Sequence, residues 1–111
     1  PLYSSAASDV YKRQGMGGNG SATYSFSNGV NGVGFIFADQ ANQNSIIQIM
    51  DYSATDKHKT LLARGNSPVS ETLAVAGRWA NTVAITSVLI NCQGVVNLPT
   101  GTICSLYGIA G

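Results

Sequence analysis

His58 is the single histidine of the chain and stands in the polar run Thr55-Asp56-Lys57-His58-Lys59-Thr60, so any mechanism with an imidazole base must use it. Asp51 and Asp56 bracket the same turn. Their carboxylates, with Thr55 and backbone oxygens, are the hard donors that Ca²⁺ takes. Asp and Thr side chains also accept backbone N–H groups in turns and so fix strand register, and that local role is the expected one here. No metal and no cofactor is expected. Glycoside hydrolysis needs two carboxyl groups about 5–9.5 Å apart, one with a raised pKa. The acids Asp39, Asp51, Asp56 and Glu71 all lie in polar turn contexts with nothing beside them to raise one. There is no G-x-S-x-G nucleophile motif. The run GMGGNG at 15–20 has glycines at dinucleotide-like spacing, but no apolar strand precedes it and no helix follows. The chain is therefore expected not to be an enzyme.

A binding role would recruit Tyr24, Tyr52, Trp79 and Tyr107, because aromatic faces stack on sugar rings and a Tyr hydroxyl adds direction. Trp79 and Tyr107 fall on the more apolar face of their segments and are expected in the core. Tyr52 lies at the end of an apolar run beside the polar stretch 53–58, where β-domains commonly carry binding groups. Tyr52, Asp56 and His58 are accordingly the candidate recognition cluster.

Composition limits the elements that could position such a cluster. The 111 residues suffice for one domain with a modest core. Charged residues are 10% of the chain, against about 25% in an average globular protein. The net charge is +1, and beyond residue 14 four basic and four acidic residues balance. Neutrality gives no electrostatic reason to expect nucleic-acid binding. Membrane insertion is not expected either: the most apolar stretch, 73–92, is broken by Arg78 and Asn81, short of the ~20 apolar residues of a membrane helix.

From residue 15 onward short apolar or alternating runs are separated by turn residues. Strands are expected over 22–27 and 33–38, divided by the turn signals Asn28-Gly29 and Asn31-Gly32. Ile46, Ile47, Ile49 and Met50 succeed one another so closely that 45–52 reads as a central strand covered on both faces. A strand over 59–64 follows, then a loop containing Gly65 and Pro68. In 73–79, Leu73, Val75, Gly77 and Trp79 share one face by strict alternation. Residues 84–92 are too β-branched for a helix, and 102–109 is expected to be the closing strand, with Leu106 and Tyr107 inside. The expected core comprises Ile47, Ile49, Trp79, Ile85, Leu106 and Tyr107. Gly15 to Gly20 is expected to be a loop. The fold class is all-β, an antiparallel sandwich.

Three stretches, DYSATDKHKTLLARGN, AGRWANTVAITSVLIN and LPTGTICSLYGI, resemble in that order the C-terminal half of a family of tailed-phage structural proteins. The likeness runs from Ile46 to Ile109 and departs from the family in Arg78, where Leu is usual before the Trp, and in the two cysteines. It implies a jelly-roll-like β-sandwich in a tail fibre or tail tip, hence a location in the virion. It also implies other virion proteins as partners, a homotrimer, and a host-surface glycan as possible ligand. The other class to weigh is a carbohydrate-binding module of a secreted bacterial protein. Residues 1–14, PLYSSAASDVYKRQ, have neither helix nor strand periodicity and resemble a translated sequencing-adapter run found in genes assembled from metagenomic reads. They are expected to be non-native or disordered, with 15–111 a single domain truncated at its N-terminus.

Cys92 and Cys104 are too few for a disulfide framework and have no ligand partners at metal spacing. They are expected to be reduced packing residues, the alternative being a bridge between neighbouring strands. Titration with a thiol reagent in denaturant without reductant should find two reactive thiols per chain; finding none would establish the bridge.

Overall fold

The computed structural model describes residues 11–28, 43–66, 71–90 and 97–109. The fold is all-β. Five strands, β1 (Tyr11–Gly18), β2 (Thr23–Asn28), β3 (Ser45–Met50), β4 (Lys59–Asn66) and β5 (Thr72–Trp79), form one antiparallel sheet in the order β2-β1-β5-β4-β3. No helix among the described residues is long and apolar enough to cross a membrane.

Alternation in β4 and β5 builds the core. Leu61 and Ala63 of β4 and Leu73 and Val75 of β5 are buried, and Ile47 and Ile49 of β3 pack against them. The register sets these side chains in rows, with Ile49, Leu61 and Gly77 in one and Ile47, Ala63 and Val75 in the next. Each row thus combines large residues with a small one, Gly77 in the first and Ala63 in the second. The opposite face, carrying Ile46, Leu62, Ala74 and Arg78, is exposed. Trp79 has the parity of the core face, as the alternation in 73–79 leads one to expect, but it is only half-buried and stands outside the core cluster in which it was expected.

Several expectations need correction. The run GMGGNG is not all loop: Gly15–Gly18 completes β1, hydrogen-bonded between β2 and β5. Gly15 stands across from Val75 and Gly17 across from Leu73, both buried, so neighbours on either side offset the entropy that glycine loses in a strand. The turn begins only at Asn19, whose side-chain oxygen accepts the N–H groups of Ser21 and Ala22 (3.0 and 2.8 Å), and Gly20 supplies a φ of 87°. Residues 11–14, grouped by sequence with a non-native segment, belong to the same strand. The strand expected over 33–38 and the second Asn-Gly turn lie outside the described residues.

β3 is the outermost described strand on its side rather than a central one; Ile46 and Met50 are 60% and 46% exposed. β4 continues through Gly65 to Asn66, and Gly65 pairs with Ser45 at a close approach where a Cβ would lie 2.5 Å from the Ser45 Oγ.

The largest departures lie after β5. Residues 84–90 and 102–109 form no strand. Leu106 and Tyr107, expected in the core, are 92% and 84% exposed, and Ile103 and Ile109 are 88% and 89% exposed. Ile85 is half-buried but stands outside the core cluster. Cys104 is a free, exposed thiol rather than a packing residue. β-branched composition favours extended backbone, but a ladder needs a partner at large sequence separation, which composition does not supply. Burial therefore separates Leu73, on the core face as its alternation predicts, from the exposed leucines after β5. Leu73→Ala should cost about 2–5 kcal/mol in denaturant unfolding, whereas Leu89→Ala, at a position 72% exposed, should stay within about 0.5 kcal/mol. Equal losses would contradict the position of the core.

Candidate functional site

The recognition cluster expected from sequence lies in one connection. Tyr52, Asp56 and His58 all fall in residues 51–58, which link β3 to β4, and all three are exposed. Tyr52 is 50% exposed. The turn begins at Asp51, whose φ of 55° is left-handed, a conformation that Asp tolerates better than most residues. The Ala54 N–H closes it on the Asp51 carbonyl at 3.0 Å. Among the described residues no three His, Cys, Asp or Glu side chains are grouped to hold a metal.

The turn is anchored by a residue that the sequence search for chemistry passed over. Lys59, the first residue of β4, is 1% exposed, the most buried of the large side chains. Its Nζ donates to the Lys57 carbonyl at 2.9 Å and to the Thr82 carbonyl at 3.1 Å. A buried ammonium is tolerated only where hydrogen bonds replace its lost water. Here they come from backbone carbonyls on two separate segments, the 51–58 turn and the chain leaving β5. The signal was present in the alternation: Lys59 has the same parity as Leu61 and Ala63, so it had to point inward.

A second strap runs beside the first. After β5 the chain turns at Asn81, whose N–H reaches the Trp79 carbonyl at 2.9 Å and whose side-chain oxygen accepts the Val83 N–H at 2.8 Å. Thr82 is thereby presented to Lys59, and three residues later the Ile85 N–H donates to the Tyr52 carbonyl at 2.7 Å. Tyr52 is thus held at its backbone while half of the residue remains exposed.

The opposite end of the sheet differs. There the solvent face has a shallow open depression of about 780 Å³ bordered by Met16, Ser25, Arg64 and Ala74. Register places it at the far ends of β4 and β5 from Lys59 and Trp79, so it forms no part of the Tyr52 cluster. Arg13 of β1 pairs across from Gly77, and partial burial lowers its pKa from the ordinary arginine value.

No protein-family model, no curated protein and no solved structure matches the chain. The site is therefore characterised by its own geometry: an exposed aromatic, carboxylate and imidazole on a turn fastened from beneath by a buried ammonium. Lys59→Met keeps the aliphatic stem but leaves two carbonyls without their donor, which should cost about 1–3 kcal/mol of stability. Hydrogen exchange at the Ile85 amide should accelerate more than at Val75. Unchanged protection at Ile85 would show that the ammonium does not hold the strap.

Proposed function

We propose that this chain is a structural domain of a phage virion, one sheet of a jelly-roll-like sandwich in a tail fibre or tail tip, whose role is assembly with neighbouring virion chains. The observation that carries this reading is the amount of apolar side chain facing solvent after β5. Val83, Val88, Leu89, Ile103, Leu106 and Ile109 range from 52% to 92% exposed in a chain with very little charge. Apolar surface on that scale marks protein contact, and a homotrimer or a contact with another virion protein would cover it. The three stretches that resemble tailed-phage structural proteins set the context.

A second reading, carbohydrate binding, is favoured by one specific feature: Tyr52 is half exposed and shares with Asp56 and His58 a turn pinned by Lys59. A preorganised aromatic with flanking polar groups suits a sugar ring, either a host-surface glycan met by a virion or the ligand of a carbohydrate-binding module. Sequencing the complete locus separates the two contexts. Tail genes on either side are expected, and a hydrolase domain in the same reading frame would overturn the virion assignment in favour of the module.

A further inference from the structure

Residues 102–109 combine strand-like chemistry with an absence of strand structure. Their sequence, TICSLYGI, puts Ile103, Tyr107 and Ile109 on one side by alternation and the smaller Thr102, Cys104 and Gly108, with Leu106, on the other. All eight residues are exposed, and none belongs to a ladder. Their departure is fixed locally: the Thr102 N–H and Oγ1 both donate to the Pro99 carbonyl, at 3.1 and 2.6 Å, and Gly101 takes a φ of 88°. A defined turn therefore launches an apolar arm whose residues are all exposed.

The same chain carries a matching acceptor. Among the described strands β3 (Ser45–Met50) pairs with β4 alone. Natural sheet edges are commonly guarded by charges, prolines or bulges. β3 has no charged residue and no proline, and neither does 102–109. Its inward residues Ile47 and Ile49 continue the core, so a strand laid alongside with Ile103, Tyr107 and Ile109 inward would extend an apolar face already present.

We infer that residues 102–109 are a donated strand that pairs with the β3 edge of a second copy of this chain. The inference rests on the assembly reading above and names the partner and the two surfaces. Main-chain hydrogen bonds fasten the arm, and the inward row of Ile103, Tyr107 and Ile109 sets its register, since a one-residue slip would turn all three to solvent.

Light scattering on the full chain over a range of concentrations tests this. Self-association is expected, and Tyr107→Lys, which would put a charge into the inward row, should raise the midpoint concentration at least ten-fold. It should leave the circular dichroism and melting temperature of dilute protein unchanged, because Tyr107 is 84% exposed in the single chain. Gln48→Lys, at an exposed edge position of β3, should weaken association similarly from the acceptor side. A wild-type chain that assembles while neither variant weakens it would overturn the donated strand and leave the assembly reading standing on another surface. A wild-type chain that stays monomeric throughout overturns the inference outright, and the locus then decides the virion reading separately.

Discussion

A lysine ammonium with 1% of the residue exposed is the constraint around which one end of this domain is arranged. Moving such a charge out of water costs several kcal/mol unless polar partners meet it in good geometry. The Lys57 and Thr82 carbonyls are those partners, one from the turn before β4 and one from the chain after β5. Because the demand is strict, it fixes both segments relative to the sheet. The Asn81 turn that delivers Thr82 and the Ile85 bond to Tyr52 follow from this placement. What would otherwise be a loose eight-residue connection carries its aromatic, carboxylate and imidazole on a fastened frame.

The rest of the sheet meets a simpler demand, that side chains of one parity fill one face. Leu61, Ala63, Leu73 and Val75 do so in the middle, with Ile47 and Ile49 at one side. Glycines make the close approaches possible. Gly77 fills the row of Ile49 and Leu61, and Gly65 leaves the space that the Ser45 hydroxyl occupies. The core is small and belongs to three strands. That explains how a chain with few charges can still expose many large apolar residues: its apolar content exceeds what one sheet face can cover.

Much of this was legible in the sequence, and the failures have physical causes. β4 and β5 were found, and the inward face of β5 was assigned correctly, because strict two-residue alternation reports directly on which side chains face the core. β2 was placed to within a residue for the same reason. Residues 84–90 and 102–109 were misassigned because their β-branched composition specifies an extended backbone but not a partner. The Gly15–Gly18 portion of β1 was missed since glycine gives no alternation to read; its membership of the sheet depends on Val75 and Leu73 across the ladder. The turn with Tyr52, Asp56 and His58 was located from sequence, yet Lys59, which holds it, was overlooked. A lysine is expected to be solvated, and only its parity with Leu61 argued otherwise.

The proposed roles rest on the contrast between two kinds of exposed surface. The 51–58 turn is polar and anchored, whereas the described segments after β5 are rich in exposed apolar residues. The anchoring holds the 51–58 turn to the sheet, and nuclear magnetic resonance of the lysine side chains tests it most directly. In ¹⁵N-labelled protein near neutral pH, the Lys59 ammonium should give a slowly exchanging signal with cross-relaxation to Thr82, while the exposed Lys57 ammonium is lost to rapid exchange with water. A Lys59 ammonium exchanging as fast as that of Lys57, with no contact to Thr82, would contradict the anchor.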